Sequence, residues 1–89
     1  MTPDQVENAF PATVLTKVIM TAQNTFTENK EVLASIVEGY ELKHSGWDYK
    51  MSGKGRYMSV NFFAEIPSRE LLYELYGAFQ KLEEVKYVL

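Results

Sequence analysis

The most regular pattern in the chain runs from Tyr57 to Ile66. Met58, Val60, Phe62, Ala64 and Ile66 fall on one side, and Tyr57, Ser59, Asn61, Phe63 and Glu65 on the other. A period of two is that of a strand with one buried face. Upstream, the β-branched run from Thr13 to Thr21 predicts another strand, with apolar side chains on both faces as a central position requires. It begins only after Phe10-Pro11, because proline cannot donate to a sheet ladder. Thr25-Phe26-Thr27-Glu28 has the form of a capping box and precedes Val32, Leu33, Ile36, Val37 and Tyr40 at helical spacing. A first helix over about 25–39 is predicted, with Gly39 supplying a positive φ near its end.

Between Glu41 and Met51 the signal is weaker. Trp47, Tyr49 and Met51 alternate with Asp48 and Lys50, a strand with one buried side in which Gly46 marks a bulge or bend. Ser52-Gly53-Lys54-Gly55-Arg56 then reads as a hairpin turn, because two glycines allow the backbone the positive φ that such turns use. After Pro67, Ser68 is a good N-cap with Glu70 in the first turn. Leu71, Leu72, Leu75, Tyr76, Phe79 and Leu82 give a second helix its inner stripe, to about residue 81. Residues 84–89 close the chain as a strand. The order β-α-β-β-α-β predicts an α+β, ferredoxin-like domain over 12–89 after a short leader, 1–11. Its four-stranded antiparallel sheet has strand order 4-1-3-2, with both helices on one face and the other face open.

Composition narrows the chemistry. The 89 residues are 46% hydrophobic and 24% charged and contain no cysteine, which removes disulfides, thiolate metal sites and thiol catalysis. The amino terminus is acidic and polar, unlike a signal peptide, and no apolar run approaches the roughly 20 residues that span a bilayer. A cytoplasmic protein with no membrane partner is expected. The formal charge of −3 argues against nucleic acid as a partner. Yet residues 42–64 carry Lys43, Lys50, Lys54 and Arg56 against Asp48 alone, so the region is locally basic within an acidic chain.

That region supplies the candidate site. Backbone N–H groups of the 52–56 turn could cradle an anion with Lys54 and Arg56 beside them, although a tight turn needs Gly53 and Gly55 whatever its function. Tyr57, Ser59 and Phe63 line the open face, where exposed rings could stack bases as in RNA-recognition domains of the same architecture. The run from Lys54 to Phe62 echoes that motif only with an insertion, and the first strand offers no aromatic partner. A sheet-to-sheet homodimer explains Phe63 more simply. Lys17, in an otherwise apolar strand, could meet an anionic ligand together with Lys54 or Arg56, or lay its stem along the sheet with its amine in water. His44, the single histidine, lacks the partners of a metal site or a general base and is expected as an exposed strand-entry residue. Glu83-Glu84 and the Glu38, Glu41 pair read as solvated edges. No cofactor and no enzymatic activity are expected, since no nucleophile stands with a base.

Phe10-Pro11, Lys17-Val18, the run Ser52-Gly53-Lys54-Gly55-Arg56-Tyr57-Met58-Ser59-Val60 and the closing Val85-Lys86-Tyr87-Val88-Leu89 together resemble the YbeD-like family of small bacterial proteins. The family's pattern has Phe-Pro near the first strand, Lys-Val within it and a Ser-x-Lys-Gly-x-Tyr-x-Ser-Val hairpin. Ile19-Met20 stands here where Met-Gly often follows. The resemblance covers nearly the whole chain and implies a ferredoxin-like fold similar to ACT regulatory domains, which bind small ligands, often at a dimer interface. It carries a proposed label in the regulation of lipoate metabolism. The expectation is therefore a small regulatory or adaptor domain that binds an anionic metabolite or a protein. A single-stranded RNA-binding module and a purely structural dimerisation domain are the alternatives.

Overall fold

Strand pairing begins from the best-patterned segment. In a computed structural model, which describes residues 10–89, β3 (Tyr57–Ile66) runs antiparallel between β1 (Ala12–Thr21) and β2 (His44–Ser52). The expected leader lies outside the described residues except for Phe10 and Pro11. The short β4 (Val85–Val88) pairs with the far side of β1, giving the order β2-β3-β1-β4. This is the ferredoxin-like order anticipated from the sequence. Register follows parity: Val18 faces Val60 and Met20 faces Met58 on the inner side, while Lys17 faces Asn61 and Ile19 faces Ser59 on the outer side.

Helices α1 (Phe26–Gly39) and α2 (Arg69–Gln80) cover the inner side. Thr25 caps α1 reciprocally. Its hydroxyl accepts from the Glu28 N–H at 3.1 Å, and its own N–H donates to Glu28 Oε1 at 2.9 Å. The N–H bond and the hydroxyl bond from Thr25 hold the Glu28 carboxyl below its ordinary pKa. Ser68 accepts from the Leu71 N–H at 3.2 Å and starts α2. Leu33 and Val37 from α1 and Leu75 and Phe79 from α2 are fully buried against Val18, Met20, Val60 and Phe62. Phe62 sits at the centre, stacked on Trp47 at 4.1 Å and edge-on to Phe79 at 6.0 Å. Thr16 and Asn29 are the buried polar side chains of this interior.

Three local expectations are corrected. The positive φ after α1 belongs to Glu41 (60°) and not to Gly39, because the helix runs through Gly39 to a Tyr40 cap. The inner side of β2 is only partly covered: Trp47 is half-buried, but Tyr49 and Met51 remain 50% and 43% exposed. As the outer strand, β2 lies at the margin of the helical layer, and Tyr49 finds cover only by stacking on Phe26 at 4.6 Å. His44 is half-buried and engaged on both ring nitrogens. The Trp47 indole N–H donates to its Nδ1 at 2.9 Å, which leaves the proton on Nε2, 3.1 Å from Glu38 Oε1. Glu38 is thus a histidine partner as well as a solvated edge.

Candidate functional site

The open face is built by the odd-numbered residues of the two central strands. Leu15, Lys17 and Ile19 of β1 stand opposite Phe63, Asn61 and Ser59 of β3, and Thr21 stands opposite Tyr57. Beyond β3, Ser45, Asp48, Lys50 and Ser52 of β2 complete the rows. The centre is polar and internally bonded. Ser59 Oγ donates to Asn61 Oδ1 at 2.8 Å, and Asn61 Nδ2 donates to Asp48 Oδ1 at 2.9 Å. Ser59 is therefore committed to its neighbours as well as facing solvent.

Both proposed recognition rings lie on this face, and each rests against a glycine. A Cβ at Gly46 would come within 2.8 Å of the Phe63 ring, and one at Gly53 within 2.8 Å of the Tyr57 ring. Gly46 has φ +68° and opens the register between Ser45 and Asp48, so the expected bulge is present. The sequence-predicted turn is a left-handed one, with Gly53, Lys54 and Gly55 at φ 59°, 59° and 83°. Its Arg56 N–H donates to the Gly53 carbonyl at 3.2 Å, which commits one donor of the anticipated anion cradle within the turn. Ser52 lies at the end of β2 with no capping bond from its side chain.

The structure gathers some of the candidate residues and separates others. Gly55, Arg56 and Tyr57 meet Thr21 and Gln23 around an open hollow of about 350 Å³ at the turn end of the sheet. Lys17 is four residues from Thr21 along β1, about 13 Å away at strand rise, and so is not grouped with Arg56. Ala22 and Lys86 complete the lining, and Lys86 was not among the residues singled out from the sequence. A register shift between Ile19 and Met20 makes it the extra residue of β4, and its ammonium reaches 5.9 Å from the Tyr57 ring centroid. The one available signal was the spacing of Val85 and Val88, three apart, which breaks a strict period of two and so marks an irregular strand.

Among the described residues, none of these cations forms an ion pair. Lys17, Lys54, Arg56 and Lys86 have no carboxylate within ion-pair distance among those residues, and all four present unpaired charge. Among the described residues, no group of three or more His, Asp or Glu side chains stands close enough to hold a metal ion, and no helix is long and apolar enough to cross a membrane.

The family described as "Protein of unknown function (DUF493)" matches residues 5–89. The chain belongs to the DUF493 family. YbeD-like proteins are this same family, so the resemblance carried by the turn motif holds. The solution structure of protein HP0495 from H. pylori is similar to the DUF493 chain, with a TM-score of 0.73 at 22% identity over 90% of this chain and 82% of that one. At that identity the likeness speaks for the fold alone. No curated protein matches the chain.

Proposed function

We propose that this DUF493 chain is a non-enzymatic regulatory or adaptor domain. It recognises a small anionic metabolite or a protein partner through the open sheet face and the 52–56 turn. The observation that carries the reading is the unpaired charge of Lys54 and Arg56 beside an uncovered sheet face, in a chain whose net charge is −3. Cations that serve only solubility are usually scattered among carboxylates, whereas these cluster at one end of the sheet. The test is a ligand screen by thermal shift on the parent and on a Lys54→Ser, Arg56→Ser double variant. Metabolites that raise the parent's Tm should raise the variant's by clearly less. Equal shifts for every stabilising compound would remove the turn from the site.

Two observations favour a protein over single-stranded RNA as a macromolecular partner. Tyr57 and Phe63 already lie against glycine backbone, which occupies part of the surface a stacked base would need. The exposed side chains Leu15, Phe63, Tyr87 and Leu89 give the face an apolar character suited to a packed protein surface. Retention of an RNA oligonucleotide at low salt that disappears on Tyr57→Ala would reverse this preference.

A further inference from the structure

The hollow at the turn end differs from its neighbours in sign. Four other hollows on the described surface each carry at least one carboxylate: Glu41 and Glu65 in one, Glu65 in a second, Glu28 and Glu31 in a third, Glu70 in the last. Here the charged lining residues are Arg56 and Lys86 alone. The other lining residues are Thr21, Ala22, Gln23, Gly55 and Tyr57, and of these Thr21, Gln23 and Tyr57 have side chains that can donate to an oxyanion. Among the described residues neither cation has a carboxylate partner. Lys86 is held on the open face by the β4 bulge and lies over the Tyr57 ring, so its ammonium is placed before any ligand arrives. Charges farther away than about 8 Å are largely screened at physiological salt, so the local pair governs a small ion even though the whole chain is acidic.

We propose that this hollow binds the phosphoryl group of a small metabolite, with Arg56 and Lys86 as its two counter-charges. The inference rests on the reading of the domain as an anion-recognising module and adds to it a place, a ligand class and a residue from β4. Two cations suit a group carrying about −1.5 to −2 charge at neutral pH better than a singly charged carboxylate. The division of labour is also chemical. A guanidinium offers a planar fork to two phosphoryl oxygens, and an ammonium offers a compact charge that can follow the third. A polyanion is disfavoured, because the next phosphates of a nucleic acid would meet the acidic remainder of the surface.

The experiment is an NMR titration of the ¹⁵N-labelled full chain with pyrophosphate at constant ionic strength, chloride serving as the control anion. Amide shifts are expected to concentrate at Thr21, Gln23, Gly55, Arg56, Tyr57 and Lys86. Losing one charge-assisted contact should weaken binding about tenfold in Arg56→Ser and in Lys86→Ser. Lys54→Ser, whose side chain lies outside the hollow, and Lys17→Ser should each stay within about twofold of the parent. All four side chains are exposed, so unchanged spectra away from the hollow certify the fold of each variant. Absence of shifts at the named amides at millimolar pyrophosphate overturns the proposal. So does parental affinity in Lys86→Ser. If Lys54→Ser and Arg56→Ser weaken binding while Lys86→Ser does not, the anion sits at the turn tip: the hollow is then wrong and the broader reading of the 52–56 turn survives.

Discussion

At the scale of single residues, the open face is governed by two aromatic–glycine contacts, and one of them makes a clear experiment. Gly46 combines φ +68° with a Phe63 ring that leaves no room for a Cβ. Alanine there meets two separate costs, the left-handed backbone and the ring. Together these should destabilise the domain by roughly 1–3 kcal/mol in urea unfolding. In a Phe63→Ala background the ring is gone and only the backbone cost, about 1 kcal/mol, should remain. A penalty that is the same in both backgrounds would mean that Phe63 does not pack on Gly46. In that case the ring would be freer for a partner than the structure implies. Tyr57 over Gly53 repeats the arrangement at the other end of β3. The two rings thus serve the sheet before they serve any ligand, a structural duty that the notion of exposed recognition aromatics does not include.

Elements of regular structure carry the next level, where β2, paired along its length with β3, is tied to the helical layer through Trp47 as well as through the Tyr49–Phe26 stack. Its indole stacks on Phe62, and its N–H is accepted by His44 Nδ1, whose other nitrogen meets Glu38 on α1. The chain Trp47–His44–Glu38 ties an outer strand to a helix. His44→Ala leaves the half-buried indole N–H without its acceptor and should cost about 1 kcal/mol. Because Trp47 is the only tryptophan, unfolding is followed by circular dichroism, a probe that survives its replacement. In a Trp47→Phe background the His44→Ala cost should shrink by most of that amount; full additivity would show that the two side chains do not communicate. This tie also marks the limit of what the chain's pattern could reveal. The capping box at Thr25, the N-cap at Ser68 and the alternation of β3 are local, so they could be read directly, and their order fixed the topology. The partners of His44, the exposure of Tyr49 and Met51, and the bulge that turns Lys86 toward Tyr57 depend on which strand lies beside which. Periodicity within one segment does not hold that information. The candidate site was accordingly half legible: Gly55, Arg56 and Tyr57 came from the turn motif, whereas Lys86 came from pairing between distant segments. Lys17, chosen for its apolar surroundings, proved to belong to the middle of the face and not to the turn.

For the whole molecule, the uncovered side of the sheet raises the question of self-association, and Lys17 is the residue that decides it. The face is apolar toward its margins, where Leu15 and Phe63 pair across the two central strands and Tyr87 and Leu89 stand on or beside β4. At its middle, Lys17 is exposed opposite Asn61 and has no ion pair among the described residues. Two copies packing face to face would have to bury that ammonium or bend its stem to an edge, and a buried unpaired charge is among the costliest groups to take out of water. Replacing Lys17 with Leu removes the charge, extends the apolar row from Leu15 to Ile19 and leaves the register untouched. Sedimentation equilibrium over a range of concentrations should therefore show Lys17→Leu associating more tightly than the parent by about tenfold, the equivalent of 1.4 kcal/mol. Parent and variant with matching association constants would mean that this face is not where copies meet, and that Lys17 is neutral to assembly. A parent that associates more tightly than the variant would place the lysine inside a working interface, in contact with an acidic group of the second copy such as Asp48 or Glu65, both of which lie on the same side of the sheet.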